Sequence, residues 1–374
     1  MDLIYYADLT WPEVEKLPRD LPMLVPIGLE DYDLRAAAKS ISTEQVVILP
    51  AIPYGFQHTK EMPLSRLDVR PGLMNRVLTG ISGRLKSQGF TRVYFLNGHG
   101  NQNLKGERHQ IIDFPYRQQY EFLWPQHLAT RVVVISTGHT EQHGYHLPLS
   151  TDSLIVEALA THLTTLSPDE VFCLPVWPYG VSTHTDEFPA TLNLGGRVFE
   201  DFFLAVIQQL VAMGAQMIYF SNGHGGNHSF LVNVVKFAGE RYPQAFIATQ
   251  WLHTTGPELS LYRESATGGM GHGGELETSY ILNLRPDLVK MDLATREVDF
   301  VSTPNYYMDW IDGGSLVANP PWLDDTTSGI YGDAIRGTAE KGRLWLQAAV
   351  NQKLAIIQEI QTQQDLRQQK RAQH

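Results

Sequence analysis

A repeat at an offset of 125 residues constrains this chain more than any other feature. The run Leu49-Pro50-Ala51-Ile52-Pro53-Tyr54-Gly55 matches Leu174-Pro175-Val176-Trp177-Pro178-Tyr179-Gly180. Further on, Tyr94-Phe95-Leu96-Asn97-Gly98-His99-Gly100 matches Tyr219-Phe220-Ser221-Asn222-Gly223-His224-Gly225, and Gly89 and Gly214 keep the same offset. Three matches in register point to duplication of one supersecondary unit. The first copy is read as residues 1–128, closing on a linker at Trp124-Pro125-Gln126-His127, and the second as residues 129–374, about twice as long. Loss of parts from the first copy is the simplest account of the difference.

Both copies alternate strand and helix. In the second, residues 131–136 form a continuous β-branched run, as a strand buried on both faces requires. Residues 153–166 have helical spacing, with Asp152 placed to cap them. Strand is expected at 171–174, 217–220 and 245–249, and helix at 198–213 and 229–242. This order predicts an α/β fold, a three-layer αβα sandwich on a mostly parallel sheet, preceded by a partial copy of itself. Ligands of such sheets gather beyond the carboxyl ends of the strands.

Composition narrows the function. A net charge of −11 argues against nucleic acid, which needs clustered Lys and Arg. The one dense positive stretch, Arg367 to Arg371, is expected to be a solvated tail. A single cysteine, Cys173, excludes an internal disulfide and fits a reducing compartment, its apolar setting favouring a buried structural thiol. The amino terminus lacks the pattern of a signal peptide, and no apolar run reaches the ~20 residues that cross a bilayer. The expectation is a cytoplasmic protein with a small-molecule substrate and neither nucleic-acid nor membrane partners.

Three predicted strand-end loops concentrate chemistry. The first, residues 138–152, holds Glu141, His143 and Asp152; alternation directs Glu141 and His143 to one side of an extended segment. The second, Ser221-Asn222-Gly223-His224-Gly225-Gly226-Asn227, turns on glycines that let a backbone approach a ligand closely. The third carries His272, Glu275 and Glu277 ahead of an apolar helix. Taken singly, each has a plainer reading: a polar loop with Asp152 as a cap, a glycine turn with a surface histidine, or a carboxylate capping a helix. Convergence shifts the balance, because Glu, His and Asp from separate loops suit a pair of divalent ions, and such a pair activates water for amide hydrolysis. A serine nucleophile elbow, a P-loop and a dinucleotide fingerprint are all absent from the sequence.

These segments, EQHGYHLPLSTD (141–152), LPVWPYGVSTHTDEFPATLNL (174–194), SNGHGGN (221–227), GHGGELETS (271–279) and SGIYGDAIRGTAEKG (328–342), resemble the creatininase (creatinine amidohydrolase) family. The resemblance implies a binuclear site and a homo-oligomer. It assigns Glu141, His143, Asp152, His224 and Glu277 as ligands, with Asp152 bridging, to two divalent ions per chain, zinc or manganese with iron as a further option. His272 is implied as the acid that protonates the leaving nitrogen. His184, Tyr179, Trp251 and Glu275 are assigned to the substrate pocket, Glu275 also standing as a ligand in reserve. The implied reaction is hydrolysis of a C–N bond in a cyclic amide, formamide or related small substrate by hydroxide held between the ions. A non-catalytic binding or assembly protein on the same fold is the alternative.

Two positions depart from creatininase itself: Gly226 stands where it has an acidic ligand, and Gly268-Gly269-Met270 where it has a tryptophan. The form with Gly226 resembles family members acting on other substrates, formamide deformylases and a peptide-trimming enzyme among them. In the first copy, alignment of Gly28 with Gly138 puts Asp31 and Asp33 at the positions of Glu141 and His143, and His99 alone survives from the ligand set. No metal site is expected there. That copy is expected to extend the sheet, pack on the larger copy or shape an oligomer interface.

Overall fold

The computed structural model describes residues 2–28, 34, 37, 39, 41, 44–56, 67–97, 110–113, 124–125, 127–252, 256–311 and 313–373. Asp31, Asp33 and His99, and with them the expectation of no metal site in the first copy, lie outside these residues.

Two parallel sheets organise the chain. The first has five strands, β1 (Asp2–Tyr5), β2 (Met23–Ile27), β3 (Gln45–Ile48), β4 (Val93–Asn97) and β5 (Gln110–Asp113), in the order β1-β3-β2-β4-β5. The second has four, β6 (Val132–Thr137), β7 (Val171–Cys173), β8 (Met217–Asn222) and β9 (Phe246–Thr249), in the order β7-β6-β8-β9. Leaving β1 aside, both sheets run second, first, third, fourth in chain order, and matching isolated bridges, Ile27 to Ile52 and Thr137 to Trp177, follow the first strand of each. Among the described residues the sheets are separate, so the described strands of the first half do not extend the second sheet.

Alternation along β6 explains the layering. Val133 and Ile135 face one side, where α4 (Gly196–Ala212) and α5 (His228–Arg241) bring Phe199, Phe203, Leu231 and Val234. Val132 and Val134 face the other, against Leu163 of α3 (Thr151–Leu166) and Ile357 and Ile360 of the long C-terminal helix α8 (Ala339–Arg371). The remaining named α-helices are α1 (Trp11–Lys16) and α2 (Pro71–Ser87) in the first half, and α6 (Pro257–Tyr262) and α7 (Glu275–Leu284) in the second.

The halves share one core. Met74, Val77 and Ile81 of α2 belong to the same buried cluster as Phe199, Phe202 and Val206 of α4. Gly55 sits at this seam with φ 99°, and a Cβ there would lie 2.6 Å from the Phe202 ring, so only glycine meets both demands.

Two local expectations are corrected. Asp152 is not the cap of α3: the helix starts at Thr151, leaving Asp152 inside its first turn with its side chain free for other work. Arg367 to Arg371 are not a loose tail but the last turns of α8. There Arg367 lies over the Phe246 ring at 5.5 Å and Arg371 donates to the Gln244 carbonyl. Trp124, read as linker, packs on Phe172 at 5.0 Å.

Candidate active site

Every expected ligand follows the carboxyl end of a strand or opens a helix beside it. The loop after β6 carries Glu141 and His143 and delivers Asp152 on α3; His224 stands two residues past β8; Glu277 lies in the first turn of α7. All five are buried, His224 and Glu277 leaving only 3% exposed. Burying three carboxylates together is costly without compensating charge.

The hydrogen bonds fix which imidazole nitrogens are bare. Nε2 of His224 donates to the Val181 carbonyl at 2.9 Å, and Nδ1 of His143 donates to the Glu141 carbonyl at 3.0 Å. A neutral ring carries one N–H, so the opposite nitrogen of each has only a lone pair. Nδ1 of His224 nonetheless lies 3.0 Å from Glu141 Oε2 and 3.2 Å from Asp152 Oδ2, and neither oxygen accepts a hydrogen bond among the described residues. Nε2 of His143 lies 3.1 Å from Asp152 Oδ1 and 3.8 Å from Glu277 Oε2. Lone pairs facing carboxylate oxygens repel unless a positive charge lies between them. Protons can supply it: burial opposes charge on His143, but Asp152, Glu277 and Glu141 outweigh it and hold the ring up at about 9. His224 is raised in the same way, while burial, against the pull of His143, pushes Glu277 up to about 7 with Asp152 and Glu141 adding. A divalent cation supplies the same charge, and these donors fit one: His143, Asp152 and Glu277 form one cluster of potential ligand atoms, and Glu141 and His224 with His139 another.

Around this cluster, Glu141 Oε1 accepts hydrogen bonds from Ser182 and, at 2.8 Å, from Thr185. His272 donates from Nε2 to the Gln142 carbonyl at 2.7 Å and lies against His143, ring centroids 4.1 Å apart. Burial, with His143 adding, pulls His272 down to about 3, so it is neutral in this setting. Gly226 cannot carry an acidic ligand here: a Cβ would lie 2.2 Å from the Val181 carbonyl oxygen and 2.5 Å from His224 Nε2, crowding the bond that orients His224.

A cavity of about 630 Å³ opens over Asp152, His224, His272 and Glu277. Trp322 is central to its wall, 4.4 Å from His184 and 5.1 Å from His272 between centroids, and Trp251 meets Trp310 edge-on. Among the described lining residues there is no Lys or Arg.

Of the four pocket residues expected from sequence, His184 and Trp251 line this cavity; Tyr179 and Glu275 do not. Tyr179 is a core residue at the seam, its hydroxyl donating to the Pro50 carbonyl. Glu275 turns away from the cluster: Oε1 meets Lys341 Nζ at 2.6 Å and its oxygens accept the N–H groups of Glu264 and Ser265. The pairing with Lys341 spans 66 residues, which no local pattern reveals. Sequence reasoning also passed over Gln142, Thr185, Thr191 and Trp322. The first three lie within the quoted motifs, beside residues already singled out, but Trp322 sits in a stretch without periodicity and gives no signal.

A family profile described as Creatininase, creatinine amidohydrolase, matches residues 7–107 and 122–357. The Mycofactocin precursor peptide peptidase of Mycobacterium tuberculosis is 28% identical over 227 residues, covering 59% of this chain and 81% of that protein. Creatinine amidohydrolase of Pseudomonas putida is 28% identical over 236 residues, covering 59% and 85% respectively. A solved mutant creatininase of Zn-Zn type superposes with TM-score 0.52 and 25% identity over 62% of this chain and 90% of its own. The superposition agrees with the layered parallel sheets, the profile covers most of the chain, and the chain belongs to the creatininase family.

Proposed function

We propose that this protein is a metal-dependent hydrolase cleaving an amide C–N bond, whose Glu141, His143, Asp152, His224 and Glu277 would hold two divalent ions, zinc or manganese. The observation that carries the reading is the pair of bare imidazole nitrogens, His224 Nδ1 and His143 Nε2, each held against carboxylate oxygens. Glu141, Asp152 and His224 would hold one ion; His143, Asp152 and Glu277 would hold the other. Such ions, when bound, polarise a carbonyl oxygen and make water acidic enough to attack at neutral pH.

His272 supplies the proton relay. With Nε2–H committed to the Gln142 carbonyl, Nδ1 keeps the lone pair and takes up the proton released as water attacks the carbonyl carbon. The resulting imidazolium returns that proton to the nitrogen that leaves, so the residue acts first as base and then as acid. Thr185 and Ser182 orient Glu141 through its Oε1, leaving Oε2 toward His224.

The cavity favours an amide carrying an aromatic or apolar, uncharged substituent. Its volume of about 630 Å³ lies in the range of sites for drug-sized ligands, its wall offers aromatic faces, and no described lining cation awaits an anion. The glycine at 226 also argues against creatinine as substrate, since no acidic side chain fits there.

Metal content of protein purified without chelator, measured by plasma mass spectrometry, tests the reading. About two divalent ions per chain, with metal-restored hydrolysis in a screen of formamides, lactams and short peptides, is the expected result. A chain that takes up no zinc or manganese on reconstitution would overturn it and leave a non-catalytic binding protein as the reading.

A further inference from the structure

The amino-terminal half reaches three segments around the site through hydrogen bonds. Leu149 and Ser150, leading into α3 and Asp152, donate their N–H groups to the Leu9 and Ala7 carbonyls at 2.9 and 3.0 Å. Trp11 Nε1 donates at 2.8 Å to the Ser328 carbonyl, next to Gly329, whose carbonyl holds the Gln142 side chain. The densest contact is with residues 182–192. Arg84 Nε and Gln88 Nε2 both donate to the Thr191 carbonyl, at 2.9 and 3.0 Å. The Ala190 N–H donates to Gln88 Oε1 at 3.1 Å, and Tyr6 donates to the Ala190 carbonyl at 2.9 Å.

Ala190 has φ 77°, and among the described residues no other non-glycine has a positive φ. An L-residue holds that conformation only where its neighbours over-determine it. Here both polar groups of Ala190 are held by side chains of the amino-terminal half. The next residue passes the constraint on: Thr191 Oγ1 accepts the Gln142 N–H at 3.2 Å, and Leu192 donates to the Thr140 carbonyl at 3.0 Å. Glu141 lies between those two anchored residues, and Thr185, which bonds its carboxylate, also reaches Thr191 Oγ1 at 3.4 Å.

We infer that Gln88, with Tyr6 and Arg84, is a positioning latch: it holds Ala190 in the left-handed conformation and so sets Glu141 in the orientation the site needs. The half-copy then serves as an internal brace for the chemistry of the other half. The part of this inference that concerns metal rests on Glu141 being a ligand; the part that concerns geometry does not.

The test compares Gln88→Leu, which loses the side-chain bonds to Ala190, Thr191 and Tyr6, with Gln88→Leu/Ala190→Gly, where glycine takes the positive φ without the latch. Hydrogen exchange reads the geometry without metal. Protection of the Gln142 and Leu192 amides should fall about tenfold in the single variant and recover in the double. Zinc affinity, measured against a chromogenic chelator, should fall about tenfold and recover likewise. Unchanged exchange in Gln88→Leu overturns the latch, as does a uniform loss of protection over the whole chain that Ala190→Gly does not restore. A wild-type chain that binds no zinc sinks the metal reading instead, and exchange at Gln142 then decides the latch alone.

Discussion

Replacing Lys341 with methionine removes the counter-charge of a fully buried carboxylate. Glu275 Oε1 lies 2.6 Å from Lys341 Nζ, and what remains after the substitution is three backbone contacts, from Glu264 N–H at 2.9 and 3.3 Å and Ser265 N–H at 2.8 Å. Breaking one side of a buried pair costs about 3–5 kcal/mol, and the surviving backbone donors put this case near the lower end. With an unfolding entropy of roughly 2.1 cal/mol/K per residue, a loss of about 3 kcal/mol lowers Tm by about 4 °C in a chain of 374 residues. Burial raises the Glu275 carboxyl, but the Lys341, Ser265 and Glu264 bonds outweigh it and hold it below its ordinary value. A depressed pKa stabilises the fold above the unfolded-state value and ceases to do so as pH falls through the folded value. The deficit of Lys341→Met is therefore largest at neutral pH and closes in acid. The double variant Glu275→Gln/Lys341→Met leaves no buried charge at this pair and should regain most of the Tm. Calorimetry from pH 3 to 8, with metal content measured beside it, is the assay. A single variant as stable as the parent, or a stable double variant stripped of metal, would refute a purely structural role for Glu275.

Asp152→Asn should lower metal content at both positions, whereas His224→Ala and Glu277→Gln should each empty one; equal stoichiometry in all three would contradict the shared carboxylate. His272→Asn should keep its metal and lose about 10²–10⁴-fold in turnover on whichever amide the screen identifies. Gly226→Ala should displace His224, because the new methyl meets both His224 Nε2 and its carbonyl partner, and zinc titration should reveal a weakened site while Cys173→Ser leaves it intact.

The alternation of strand and helix was legible because strands announce themselves in β-branched runs and their ends in glycines. Asp152 illustrates how a site hides behind a local rule: at one end of a helical pattern it satisfies the description of a cap, and only the course of α3 from Thr151 turns it toward two imidazoles. Tyr179 and Glu275 misled for a related reason. Both stand inside family motifs, yet the direction of each is decided by a distant partner, Pro50 for one and Lys341 for the other. The last turns of α8 were illegible because Lys353 and Gln364 are buried on its packing face among Ile357 and Ile360, which blurs the apolar stripe that periodicity detects. The latch was invisible outright, since it joins residues about a hundred positions apart through side chains that bond to backbone groups.

Helix α8 has one more consequence, in the order of synthesis. Val132, Val134 and Tyr219 form the face of the second sheet that Ile357 and Ile360 cover, so this surface is translated long before its lid exists. At roughly 5–20 residues per second, the nascent strand β6 waits about 10–50 s for the end of α8. During that interval α3 alone covers that apolar face, and a ribosome stalled near residue 338 would release a product primed to aggregate. Yield from a cell-free system should then depend on chaperone supply more steeply than the stability of the finished protein would indicate.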